Sequence, residues 1–296
     1  MARREADVLI AAPTAADAPA SPGPWAQRIG RAAIAALYDE LALAPKPGLV
    51  SFEDSGSHTD MDATTFMRSL FALRHYFVRI AMLGAAQAPF AELEAAGVEA
   101  EARMLRATGG VNTHRGAIFS VGLLCAAAGF ARAPPGTLIA ARLREHLMAA
   151  WGEPLRMRCR RAGSSNGQRV ARAFGLRCVG EEASLGFPVL FECAVPALAM
   201  ARAAGLDDRH ARLQVLFEVI AVLADTNLAH RGGLSGLHFA QAQAHAFLGA
   251  GGAQRPDALR HAQSIHRAFV QRRLSPGGAA DVLAAACLLE RVCVAA

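Results

Sequence analysis

Apolar residues recur at helical spacing along almost the whole chain, in runs that open or close on glycine, proline or acidic residues. The runs predict helices over Trp25 to Leu43, Ala63 to Leu83, Phe90 to Thr108, Arg115 to Phe130 and Thr137 to Trp151, then over Val189 to Ala204, Asp208 to Ala229, Leu234 to Leu248, Pro256 to Arg273 and Ala279 to Val294. No stretch alternates polar and apolar residues as a half-buried strand would. Asp62 suits the N-cap of the second run, Gly205 ends the sixth and Pro256 fits the first turn of the ninth. Linkers between runs are short. The pattern therefore predicts an all-α fold, a single compact multi-helix bundle of about ten helices over residues 24–296. Residues 1–23, rich in Ala and Pro, predict a disordered tail, and their apolar stretch Val8 to Ala12 is too short for a secretory signal.

Composition sharpens this picture. The 296 residues are 53% hydrophobic but only 6% aromatic, so alanine supplies much of the core and allows close helix packing. The most apolar run, Ala117 to Ala131, is too short to span a bilayer, which argues for a cytoplasmic protein without a membrane partner. Six cysteines lie scattered with no CxxC pair, supporting neither a zinc site nor a disulfide framework. A net charge of +6 favours anionic ligands. The arginines are dispersed and not interleaved with aromatic residues, so small phosphorylated ligands are expected rather than nucleic acid.

Among 30 arginines there is a single lysine, Lys46, held between Pro45 and Pro47. A compact ammonium on a stiff loop suits a phosphate oxygen, although a solvated loop lysine would read the same way. Three Gly-Gly pairs open apolar runs beside basic or polar residues: Gly109 and Gly110 before Asn112, Thr113, His114 and Arg115; Gly232 and Gly233 after His230 and Arg231; and Gly277 and Gly278 after Ser275. Helix heads aim unpaired N–H groups at anions, so these joints predict a polyphosphate cradle; helix termination is the alternative. Asp60 and Asp62 are two residues apart in a polar loop, a spacing open to magnesium as well as to helix capping. Asp225 stands five residues before His230, near the predicted end of a helix, and Glu182 precedes Gly186-Phe187-Pro188. Either carboxylate can serve as a cap or in catalysis.

Taken in order, Pro45 to Val50, His58 to Asp62, Thr108 to His114 with Gly116 to Phe119, Glu182 with Gly186 to Pro188, Asp225 to Asn227 with His230 to Gly233, and Leu274 to Gly278 resemble the triphosphoribosyl-dephospho-coenzyme A synthases. Two positions depart from that pattern: Arg115 stands where a lysine is more usual, and Asn166-Gly167 where a His-Gly pair is expected. Phe191 to Leu198 and Phe269 to Ala285 look closest to the malonate decarboxylase branch rather than the citrate lyase branch. The resemblance implies a transfer of the triphosphoribosyl group of ATP to 3′-dephospho-coenzyme A with loss of adenine, in service of an acyl carrier protein, with the oligomeric state left open. The roles expected on that basis put Lys46, Arg115 and Arg231 on phosphates beside the glycine joints, Asp60 and Asp62 on Mg2+, Glu182 or Asp225 as base or oxocarbenium stabiliser, and His114 or His230 as proton donor. Two other readings remain. A helical nucleotide glycohydrolase would break the same bond without needing the coenzyme, and a basic adaptor for RNA or a carrier protein would release no adenine.

Overall fold

The computed structural model describes residues 23–131, 137–160 and 166–294; the predicted tail, apart from Gly23, lies outside them. The described residues form α-helices and short turns with no β-strand, only an isolated bridge between Leu138 and Cys293. In chain order the α-helices are α1 (Pro24–Ala42), α2 (Ala63–Ala85), α3 (Phe90–Ala107), α4 (Arg115–Ala131), α5 (Ala140–Arg160), α6 (Asn166–Phe174), α7 (Val179–Ser184), α8 (Val195–Ala203), α9 (Asp208–Val222), α10 (Thr226–Gly249), α11 (Ala258–Gln271) and α12 (Gly277–Val292). A π-helical turn, Val189–Ala194, leads into α8, and a short 3₁₀ turn, Gly252–Gln254, precedes α11.

The packing follows from where the small residues fall. α4 is apolar on nearly every side and forms the centre of the bundle, as an all-round hydrophobic helix must. α2 lies across it at very short range. Space for a Cβ at Gly84 is taken by the Ala126 carbonyl oxygen at 1.9 Å, and space at Gly129 by the Ala81 carbonyl oxygen at 2.0 Å. Backbone therefore meets backbone, and the two helices are fixed by what these positions lack. The Tyr76 hydroxyl fills the adjoining gap and donates to the Ile118 carbonyl at 2.8 Å. α1 and α3 cover the other faces of α2, while α12 packs between α1, α4 and α9. This arrangement brings the N-termini of α4 and α12 together with the C-terminus of α1.

The structure departs from the periodicity at several places, among them α5, which runs past the predicted end at Trp151 and through Pro154 to Arg160. The run Asp208 to Ala229 divides at Leu223 to Asp225, because the Asp225 side chain caps a new helix, α10. Asp225 thus stands at a helix N-terminus and not near an end. α10 then continues through Gly232 and bends at Gly233, whose φ of 63° is non-helical, so the predicted start at Leu234 corresponds to the second half of a kinked helix. Helices α6 and α7 were not legible: they are nine and six residues long and fall within arginine-rich and acidic sequence with no extended apolar stripe.

A candidate active site at the heads of α4, α10 and α12

The bend after α1 positions the single lysine. Lys46 is 1% exposed, and its ammonium donates to the Glu40 carbonyl at 2.6 Å and to the Glu40 carboxylate. Burial lowers its pKa, while the Glu40 carboxylate opposes that shift. The expected phosphate contact, and the solvated loop lysine set against it, are both corrected: the compact ammonium is enclosed at the end of α1 and neutralises a buried acid. His266 holds the same bend from outside, with Nδ1 donating to the Lys46 carbonyl at 2.8 Å and Nε2 lying 3.1 Å from the Asp54 carboxylate.

The following loop is stitched to the segment between α11 and α12. Gly48 has φ of 63° and abuts the Leu274 carbonyl, which also accepts from the Ser57 hydroxyl at 2.6 Å. Arg231, on the first turns of α10, donates to the carbonyls of Ser57 at 3.0 Å and Arg273 at 3.1 Å and to His58 Nδ1 at 3.0 Å. A guanidinium only donates, so His58 Nδ1 is the acceptor and its Nε2–H is free to donate to the Ser275 hydroxyl at 2.9 Å. Burial, then the adjacent Arg231 charge, lowers the His58 pKa in agreement with that neutral tautomer.

Asp62 is occupied as a helix cap. Its Oδ1 accepts from the Thr65 amide and hydroxyl, both at 2.8 Å, in a reciprocal capping box. Asp60 is exposed and 3.6 Å from His58. No group of three or more His, Cys, Asp or Glu able to hold a metal occurs among the described residues. Asp60 and Asp62 do not fit a preformed magnesium cage.

At the α3–α4 joint, Gly109 and Gly110 take positive φ with open space around them and end α3 rather than opening α4. Asn112 accepts from the Arg115 amide at 3.1 Å, while the Arg115 side chain bonds Glu101 at 2.6 Å from Nε and is tied to the surface. The head of α4 proper is formed by Thr113 and His114. His114 is buried, with Nδ1 2.7 Å from the Ser69 hydroxyl and its ring in a T-shaped contact with Phe66. Its Nε2 and the Thr113 hydroxyl are buried with no partner. Burial, and secondly the Lys46 charge, pushes the His114 pKa down to about 3, so the ring is neutral near pH 7.

Two carboxylates join the helix heads. Asp225, buried, accepts from the amides of Asn227 at 2.8 Å and Leu228 at 3.3 Å in α10, and from Ala279 at 3.1 Å in α12. Gly278 passes beside it, where a Cβ would stand 3.0 Å from Oδ2, and Gly277 is pressed against the Asn227 side chain. Asp281, one turn into α12, lies against the head of α4: its Oδ2 occupies the place of a Gly116 Cβ at 1.9 Å, and it accepts from the Ala117 amide. The helix ends expected to be free for phosphates thus already carry carboxylates from neighbouring elements. Gly232 is explained by packing, its missing Cβ leaving room for Leu274.

The remaining expected residues lie apart from these contacts. Glu182, in α7, accepts from Arg177 at 2.7 Å and the Val189 amide at 3.3 Å, and His230 is exposed on α10. Glu40 and Asp281 were missed, because the link from either to the motif residues is made by helix packing and has no local spacing to betray it.

The fold and the site together define an all-helical protein with a charged centre at converging helix heads, and the comparisons make the class a transferase. Residues 26–295 match the CitG model, ATP:dephospho-CoA triphosphoribosyl transferase, and the chain belongs to that family. A probable 2-(5''-triphosphoribosyl)-3'-dephosphocoenzyme-A synthase of Azotobacter vinelandii is 41% identical over 90% of this chain and 92% of its own. Proteins of the same name from Acinetobacter calcoaceticus and Vibrio cholerae are 37% and 35% identical, covering 90% and 88% of this chain and 91% and 87% of their own. No solved structure matches.

Proposed function

We propose that this chain transfers the triphosphoribosyl group of ATP to the 2′-hydroxyl of 3′-dephospho-coenzyme A, releasing adenine and leaving the triphosphate intact. The observation that carries the reading is the family match across residues 26–295, which spans every element contributing to the helix-head site. The site supports it chemically. Displacement at an anomeric carbon builds positive charge, which a fixed carboxylate stabilises, and Asp225 is fixed by backbone N–H groups at the heads of α10 and α12. Asp225 is therefore favoured over Glu182 as the oxocarbenium stabiliser. Arg231, exposed beside His58 and Ser275, is the favoured phosphate contact. Magnesium is proposed as the ion that accompanies ATP, with unchanged magnesium-dependent nucleotide binding in both Asp60→Asn and Asp62→Asn as the result that removes those two residues from its coordination. The resemblance of Phe191 to Leu198 and Phe269 to Ala285 supports malonate decarboxylase as the pathway served. Incubation with ATP, magnesium and 3′-dephospho-coenzyme A, with adenine followed by chromatography, tests the transfer. Release that requires the coenzyme is the expected result; release without it would indicate a glycohydrolase, and no release would overturn the enzyme reading.

A further inference from the structure

We propose that His114 holds the adenine of ATP, donating a hydrogen bond from Nε2–H to a ring nitrogen of the base that leaves; this rests on the function proposed above. Two polar atoms at the head of α4, His114 Nε2 and the Thr113 hydroxyl oxygen, are buried with no partner among the described residues. His114 is 3% exposed, and an unpaired polar group at such depth costs free energy that a bound ligand recovers. The neighbouring Ser69 assigns the tautomer. Its side chain is buried, and among the described residues its hydroxyl bonds only His114 Nδ1, at 2.7 Å. A proton on Nδ1 would leave the hydroxyl hydrogen unpaired inside the protein, whereas a hydroxyl donating to Nδ1 leaves nothing over. The ring proton therefore sits on Nε2. The two ring nitrogens face nearly opposite ways, so Nε2–H points away from Ser69 and α2.

The surroundings favour the base over the phosphates. The donor is a neutral imidazole whose ring meets Phe66, and Lys46, the cation that acts on the ring, is already paired with Glu40. A phosphate carried there would lose its hydration without gaining a cation of its own. A purine brings uncharged ring-nitrogen acceptors and an apolar face, which match a neutral N–H beside an aromatic ring. Arg231, exposed at the first turns of α10, remains the phosphate contact. Position agrees with this assignment. Adenine departs from the anomeric carbon that Asp225 is proposed to face, and Asp281, which interacts with Asp225, accepts from the Ala117 amide three residues beyond His114. His114 thus binds and orients the leaving base, and the proton donor implied by the resemblance becomes a hydrogen-bond donor that keeps its proton.

The test measures equilibrium binding of ATP and of its 1-deaza, 3-deaza and 7-deaza analogues to the full chain without 3′-dephospho-coenzyme A, each analogue lacking one ring-nitrogen acceptor. Wild type is expected to bind at least one analogue about 10-fold more weakly than ATP, the cost of leaving a buried N–H unpaired. His114→Phe keeps a ring of similar size without the donor, and is expected to bind ATP and that analogue alike. His114→Gln retains an N–H near the Nε2 position and should restore part of the preference. Equal affinity of the wild type for all four nucleotides would overturn the assignment, and that comparison needs no variant to fold. A preference left unchanged in His114→Phe would overturn it too: with unaltered affinities the partner of Nε2 is a water, and with an equal loss on every nucleotide it is a phosphate or the role is structural. Coenzyme-dependent adenine release by the wild type is scored separately, so failure of the transfer reading is distinguished from failure of His114 alone.

Discussion

Lys46 shows how a single residue can be misread from its surroundings in sequence. Flanking prolines and a background of arginine suggest a presented cation, yet the ammonium is enclosed against Glu40. A buried ion pair broken on one side leaves an uncompensated charge, so Lys46→Met is expected to lose about 3–5 kcal/mol in urea unfolding, and Lys46→Met with Glu40→Leu to recover much of it. Lys46→Arg should also destabilise, because the planar guanidinium has no room at a position 1% exposed. His114 gives a pH signature. Its folded pKa of about 3 lies below the unfolded value of 6.5, so the folded state binds fewer protons and its contribution is intact above pH 6.5. Stability then falls toward pH 3 by up to about 1.4 kcal/mol per pH unit, and His114→Gln should flatten that slope in unfolding measured from pH 7 to pH 4. Asp281 has the opposite sign: its folded pKa is raised, so its contribution is present below the unfolded 3.8 and is lost as pH rises through the folded value.

Between elements, the decisive contacts are made where one helix head meets a side chain from another. Asp225 caps α10 and α12 together, so Asp225→Ala is expected to cost about 2–4 kcal/mol through orphaned N–H groups at two helix starts, and Asp225→Asn less. Denaturant midpoints of the two variants check the order. α2 and α4 meet through their backbones, so Gly84→Ala is expected to cost about 1–3 kcal/mol by forcing the Ala126 carbonyl away. No hydrophobic pattern records such a contact, because alanine and glycine score alike on an apolar face whether a helix touches them or not.

At the scale of the molecule, the described helices other than α6 share one continuous core reaching from Ile29 in α1 to Val292 in α12. Unfolding followed by far- and near-ultraviolet circular dichroism is therefore expected to give coincident transitions, and separated ones would show two cooperative units. No single helix among the described residues is long and apolar enough to cross a membrane. The central helix α4 owes its apolar character to burial on every side.

By itself the sequence determined the all-helical class, most helix positions and the ordered motifs that carry the family resemblance, since these depend on spacing along one chain. It also named Asp225, His114 and Arg231, which folding brings to neighbouring helix heads. It could not assign Asp62 between cap and ligand, or Gly109 and Gly110 between cradle and stop, because both readings use the same local residues. The tertiary structure decided those, and it decided the charge balance: which acid faces Lys46, which helix heads are already occupied, and that Asp281 lies against Gly116 with little to offset its charge. Ionisation depends on groups within a few ångströms in space, and residues 40, 116, 225 and 281 become neighbours only when four helices pack.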